Sequence, residues 1–340
     1  MRAVLLVFFS AFLYAASIAQ PAKASPAPEA FGVLPAVYDA SIAPDSSKLA
    51  VIININGIYG IMVLGIAGTD DDPKVIRLSE GVKPQWIKWA NNERVLLSLW
   101  QSHNLGGEVF TSGYIHSLDT NTMKGKTLVK PKRQFRQFNN HVVDFLEDDP
   151  DHILMAYSDR NSYAPNIMKV NVATGQDDQV LLGKEYVQRW YTDLRGEPRI
   201  GQGRYDRSKE KWYLTIRDAQ DNKWREHDEY PGLDADVDIY GFTENLNELI
   251  IGAYNGKDTL GLYIYDLSAK KQTRELFHND KYDVGAPVFS NDGSKVIGAT
   301  YVADSPETVI FEDEHSGSIF SSINCNLFLW ISSKSKVKKV

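Results

Sequence analysis

Cysteine is almost missing from this chain: of 340 residues, only Cys325 is a cysteine. A single thiol can form neither an internal disulfide nor a cysteine-based zinc site. Its neighbours, "SINCNLFLW", are apolar or neutral, a setting that does not activate a thiol, so it reads as a structural or incidental residue. Histidine is scarce too. His103, His116, His141, His152, His227, His278 and His315 nowhere form H-x-x-x-H or H-E-x-x-H, so no helix-borne metal pair is encoded. Positive charge is in deficit, with 37 Lys and Arg against 44 Asp and Glu and a net charge of −7. That balance gives no general attraction to nucleic acid or anionic membrane. After residue 35 no stretch shows apolar residues at i, i+3, i+4, i+7 over a helical length. "GQGRYD" (201–206) lacks the third glycine and the following helix of a dinucleotide fingerprint. What remains is ordinary globular composition, 43% hydrophobic and 24% charged, with 17 Tyr and 7 Trp that favour strands.

The one long apolar run is N-terminal. Arg2 precedes "AVLLVFFSAFLYAASIA" (3–19), and Ser17-Ile18-Ala19 and Ala22-Lys23-Ala24 offer small residues at both cleavage positions. Residues 1–24 therefore read as a cleaved secretory signal, which places the mature protein in the periplasm or outside the cell. A retained anchor helix is the alternative, although the run is slightly short for a span. Residues 25–35 follow as a Pro/Ala-rich leader.

From there the chain repeats itself. A strand, a polar turn and a second strand recur with the last large apolar residue of the first strand at Ile42, Trp89, Phe145, Tyr191, Phe242 and Phe289, at intervals of 46–56 residues. A later strand in each unit ends in a polar turn, marked by Gly65, Asp119, Asn171, Asp218 and Asp266 at intervals of 47–54 residues. In "YIYDLSAKK" the alternation puts Tyr263 and Tyr265 on one face and Ile264 and Asp266 on the other. Such a period of short strands predicts an all-β fold, a β-propeller of about 45–55-residue, four-stranded blades. An immunoglobulin-like array would need a period near ~100 residues. About six blades are visible over 36–314. The last reads as incomplete, and 315–340 reads as an atypical or truncated tail.

Several of these stretches resemble a known family. "FGVLPAVYDASIAPDSSKLAVI" (31–52) is similar to the first blade of prolyl oligopeptidase family serine peptidases, above all bacterial dipeptidyl aminopeptidase and acylaminoacyl peptidase relatives. Ala43-Pro44-Asp45-Ser46 and Ala50 stand at the family's S-P-D-G-x-x-x-A. Trp190, Asp193, Gly196, Pro198 and Arg199, followed by Arg217 and Trp224, resemble a middle blade, and "YVADSPETVIFEDE" (301–314) the segment after the last hairpin. The resemblance implies a C-terminal α/β-hydrolase domain with its nucleophile in G-x-S-x-G and a downstream Asp and His. No such elbow is present: "FTSGYI" (110–115) and "HSGSIF" (315–320) lack the flanking glycines, so the hydrolase domain is expected to be absent and no catalytic residue is carried over. The expected function is the non-catalytic, substrate-gating propeller of an exported peptidase, inactive as this chain alone. The alternative is a stand-alone TolB-like periplasmic propeller that binds protein partners.

Other stretches offer no site. "DADVDIYGFTEN" (234–245) opens like a calcium loop with Asp234, Asp236 and Asp238, but has Ile239 at the turn position and Asn245 at the bidentate position. "TDDDPK" and "EDDPDH" read as solvated acidic turns. "VKPKRQFRQF" (129–138) interleaves basic residues with Phe135 and Phe138, and reads as a link between blades rather than a nucleic-acid platform. "KSKVKK" reads as a short basic tail. No cofactor, metal or nucleic acid is expected. A peptide substrate is expected only with a hydrolase domain, and a protein partner or self-association would use open blade edges.

Overall fold

Asn56 and Gly57 both take positive φ, 54° and 86°, as a two-residue hairpin turn demands. The chain therefore folds Ile58–Gly65 back on Lys48–Ile55 in antiparallel register, with Ile55 opposite Ile58. The computed structural model describes residues 32, 34–66, 72–130, 138–158, 164–206, 211–234, 237–290, 293–311 and 337–339. Two compact units divide at Pro35/Ala36, and of the first only residues 32, 34 and 35 are described. The signal segment, most of the leader, Cys325, His315 and "HSGSIF" lie outside the described residues.

The second unit is a run of six sheets, each built from strands consecutive in sequence. The first blade holds β1 (Val37–Ile42), β2 (Lys48–Ile55), β3 (Ile58–Gly65) and β4 (Lys74–Arg77). The second holds β5 (Val82–Asn91), β6 (Arg94–Leu105), β7 (Glu108–Asp119) and β8 (Lys124–Thr127), with β9 (Phe138–Asn139) added parallel to β7. The third has β10 (Val142–Asp144), β11 (His152–Tyr157), β12 (Asn166–Asn171) and β13 (Asp177–Leu181). The fourth has β14 (Val187–Thr192), β15 (Pro198–Asp206), β16 (Lys211–Arg217) and β17 (Trp224–Glu226). The fifth has β18 (Asp238–Phe242), β19 (Glu248–Ala253), β20 (Gly261–Asp266) and β21 (Lys271–Phe277). In the sixth, β22 (Val284–Phe289), β23 (Val296–Val302) and β24 (Pro306–Ile310) are antiparallel, and β25 (Val337–Lys339) adds in parallel. This is the all-β propeller the repeat predicts. Among the described residues the only helical segment is the turn His227–Glu229, and no helix is long and apolar enough to cross a membrane.

The polar markers of the sequence are Asx turns. Asp119, Asn171, Asp218 and Asp266 each accept the backbone N–H groups two and three residues on. Four residues after each marker the chain takes positive φ, at Met123, Gly175, Asn222 and Lys270.

The core is divided among the joints between consecutive blades, because each sheet has an apolar surface on both faces. One cluster joins Ala50, Ile52 and Ile61 to Trp89, Val95 and Leu97, and the next joins Leu96 and Ile115 to Ile153, Met155 and Val170. Three more link the third blade to the fourth, the fourth to the fifth and the fifth to the sixth. In β20, Tyr263 and Tyr265 pack towards the fourth blade and Leu262 towards the sixth, as the alternation requires. Among the described residues no such cluster joins the sixth blade to the first.

First strands of neighbouring blades touch, β1 with β5, β10 with β14, and β14 with β18. Fourth strands such as β4 and β8 are almost wholly exposed. The first strands are therefore the inner wall of the ring. Each carries a register shift at its second, third or fourth residue: at Val37/Asp39, Pro84/Trp86, Val142/Asp144, Val187/Arg189, Ile239/Gly241 and Val284/Ala286. Bulges bend a strand and re-aim its side chains, so the wall is kinked at the same level in all six blades.

Candidate binding surface inside the ring

Alternation along β14 decides what its residues do. Trp190 turns to the third blade, where its indole N–H donates to Pro165 O at 2.8 Å and its ring meets Trp224 edge-on at 5.7 Å. Arg189 and Tyr191 turn the other way. The Tyr191 hydroxyl donates to Oε1 of buried Gln202 at 2.8 Å, and Arg189 Nη1 donates to the same hydroxyl at 3.4 Å. A buried amide thus orients a phenol, and the phenol orients a guanidinium that is itself exposed.

Two further cationic or titratable groups stand on this wall. Lys88, on β5, holds its ammonium 3.9 Å from the centre of the Phe145 ring. It is exposed to solvent, yet crowding by surrounding protein lowers its pKa, against the pull of Asp144 and Glu147. His141, just before β10, is likewise exposed. Its pKa is lowered by the same crowding and then by the Arg189 charge. Side chains that are both solvated and crowded belong to the interior of a ring rather than its rim. Among the described residues, no carboxylate lies within 4.0 Å of Lys88 or Arg189.

Two of the wall's carboxylates, Asp144 and Asp39, are already engaged, while Asp238 is exposed. Asp144 accepts the Leu146 N–H at 2.7 Å and the Thr192 hydroxyl from the next blade. Asp39 accepts Ala40 N–H at 2.7 Å and Ile87 N–H of the second blade at 2.8 Å, while burial raises its pKa against those bonds. Beside it the Trp89 indole donates to Ser41 O at 2.8 Å. Burial pushes the Tyr240 hydroxyl up to about 12, with Asp238 adding to the shift.

The family-like motif of the fourth blade is a structural joint. Asp193 accepts the N–H groups of Arg195 and Glu197 and pairs with Arg199 Nη1 at 3.3 Å, both side chains being buried. Arg199 also donates to Arg217 O at 2.6 Å and Leu246 O at 3.2 Å, and its guanidinium lies 4.9 Å from the Phe242 ring centre.

Two arrangements elsewhere resemble parts of a hydrolytic triad. Ser112 of "FTSGYI" bonds His103 Nε2 at 2.7 Å, and His103 stacks on Phe110. Among the described residues no carboxylate bonds the other nitrogen of His103, so a base at this position lacks its orienting group. Thr259 meets His278 Nε2 at 2.9 Å, with Asp280 3.3 Å from Nδ1, but the threonine proton is donated to Asn279 O. Nε2 therefore donates to Thr259 rather than accepting from it. Among the described residues no group of three or more His, Cys, Asp or Glu could hold a metal ion.

Several sequence-level candidates land elsewhere. Asp149 of "EDDPDH" is occupied by His152 at 2.9 Å and Lys169 at 2.6 Å. Asp236, Asp292, residues 67–71 and residues 131–137 of the basic stretch lie outside the described residues, while Phe138 is exposed beside Trp100. "GQGRYD" runs within β15. In a concavity of about 330 Å³, lined by Lys126, Leu128, Lys130, Gly175 and Asp177, Lys126 donates to Thr174 O and Asp177 accepts the Tyr157 hydroxyl. Sequence reading passed over Lys88 and Arg189 and gave His141 no role beyond its absence from any metal pair. Their signal was only their position shortly ahead of the hairpin markers.

No family model matches the sequence, and no curated protein matches it. Solved structures do. A prolyl endopeptidase matches at TM-score 0.52 and 10% identity over 80% of this chain and 40% of its own. The acylaminoacyl peptidase of Pyrococcus horikoshii matches at TM-score 0.50 and 14% identity over 86% of this chain and 47% of its own. TolB from Acinetobacter baumannii matches at TM-score 0.38 and 14% identity over 69% of this chain and 53% of its own, too low a score to weigh. At such identities the likeness establishes the propeller fold, and this chain spans about half or less of the first two structures.

Proposed function

We propose that this propeller is the substrate-gating, non-catalytic portion of an exported prolyl-oligopeptidase-type serine peptidase, without hydrolytic activity as this chain alone. The observation that carries the reading is the fourth-blade joint. Trp190, Asp193 and Arg199, which with Pro198 resemble the family's middle-blade motif, are buried and hydrogen-bonded there. The match in fold to a prolyl endopeptidase and an acylaminoacyl peptidase supports the same reading. A ring wall that carries exposed polar side chains such as Lys88 and Arg189 suits contact with short peptides. Export is proposed from the N-terminal apolar run.

The test is hydrolysis of aminoacyl and peptidyl chromogenic substrates by the pure protein, with and without a serine-directed inhibitor. No inhibitor-sensitive turnover is expected. Turnover that the inhibitor abolishes would overturn the proposal.

A further inference from the structure

We propose that Arg189, held by Tyr191, is a receptor inside the ring for the carboxylate of a peptide. The argument begins with the spacing of the two inner strands. Asp144 and Thr192 lie 48 residues apart and hydrogen-bond across the third and fourth blades. His141 stands three residues before Asp144, and Arg189 three before Thr192, so the two lie near the same level at the starts of adjacent inner strands. The charge of Arg189 is accordingly felt at the His141 ring.

The guanidinium is preorganised. Gln202, only 5% exposed, holds the Tyr191 hydroxyl, and that hydroxyl accepts one N–H of Arg189. Its remaining N–H groups meet no acceptor among the described residues. A fork of free donors, held from behind, fits the two oxygens of a carboxylate. The charges on this part of the wall are mixed, with Lys88 and Arg189 set against Asp144 and Glu147, but among the described residues none of the carboxylates lies within 4.0 Å of Arg189. Lys88 is unpaired and lies against Phe145, and Asp144 is held by Leu146 and Thr192. Glu147 acts on Lys88 from a distance.

The choice of a peptide as the carrier of that carboxylate rests on the gating reading, while the anion site rests on geometry alone. The two separate in one titration series on the full chain. N-acetyl-tetraalanine with a free C-terminal carboxylate, the same peptide as its C-terminal amide, and sodium acetate are titrated by calorimetry into the protein and into Arg189→Met and Arg189→Lys. The acid should bind at least about tenfold more tightly than the amide, as expected for loss of a charge-assisted pair. Arg189→Met should erase that difference, and Arg189→Lys should restore only part of it, since a point charge lacks the fork. Both variants alter an exposed side chain, and unchanged far-ultraviolet circular dichroism verifies their fold. Equal binding of acid and amide, or an unchanged preference in Arg189→Met, overturns the carboxylate site while leaving peptide access intact. Acetate binding as tightly as the peptide acid overturns the peptide assignment and leaves the anion site. Binding of none of the three overturns both.

Discussion

Replacing Arg199 with leucine should be among the most damaging single changes in this chain. Its guanidinium makes three hydrogen bonds, to Arg217 O, Asp193 Oδ2 and Leu246 O, and rests on Phe242. The Arg199 and Asp193 side chains are only 4% and 3% exposed, so water cannot replace the lost partner. Removing one member of a buried ion pair costs about 3–5 kcal/mol, because the other charge is left uncompensated. The two freed carbonyls would add to that, while the N–H groups of Arg195 and Glu197 still hold Asp193 Oδ1 and soften it. At about 2–4 °C per kcal/mol for a domain of this size, the melting temperature should fall by about 6–20 °C. Asp193→Asn keeps the turn bonds and removes the charge. The double variant should therefore be less destabilised than the two singles together, by about 1–3 kcal/mol. Urea unfolding followed by tryptophan fluorescence measures all three. A single-variant cost under about 1 kcal/mol, or strict additivity in the cycle, would refute the reasoning.

The turns after β20 and β12 make a matched pair. Lys270 holds φ 52° where Gly175 holds φ 71°, so Lys270→Gly should stabilise by about 0.5–1 kcal/mol. Gly175→Ala should instead cost more than about 1 kcal/mol, because its new Cβ would lie 2.5 Å from Leu128 O. Shifts of the same sign in both urea midpoints would contradict this. Stability should fall on acidification in two stages. Burial lowers the pKa of His116 and His141 below 6.5, so the unfolded chain binds more protons as pH drops past that value. Asp119, held low by the Thr122 N–H, Asp149, held low by Lys169, and Asp221, lowered to about 2 by Arg225, stabilise above their ordinary 3.8 and lose that contribution as pH falls through their folded values. Asp39, raised by burial, works in the opposite sense over the acid range. A urea midpoint that rises between pH 7 and pH 5 would sink the first stage.

The fold was legible because its grammar is local. Asp119, Asn171, Asp218 and Asp266 cap turns with their own side chains, so the residue type that makes the turn also marks it in the sequence. The inner wall was not legible. The bulged positions hold Tyr38, Gln85, Val143, Gln188, Tyr240 and Gly285, a set with no shared chemistry, because a bulge is a property of pairing between two strands. Arg189 looks like any strand arginine until Gln202, on the neighbouring strand, is seen behind Tyr191. His141 acquires meaning only from the Asp144–Thr192 bond between blades.

Many of the hydrogen bonds between blades span steps of 45 to 59 residues, about one repeat each, and others join consecutive blades at 25 and 73 residues. Among the described residues, every joint therefore depends on the unit just before it. At a synthesis rate of about 5–20 residues per second, a ribosome completes one such unit roughly every 2–10 s. Each new sheet then finds its docking face already formed, and its own exposed apolar face waits only as long as the next repeat takes to make. Growth by single-repeat additions keeps loop-closure entropy small and constant. Assembly along the chain is thus a relay of short-range dockings.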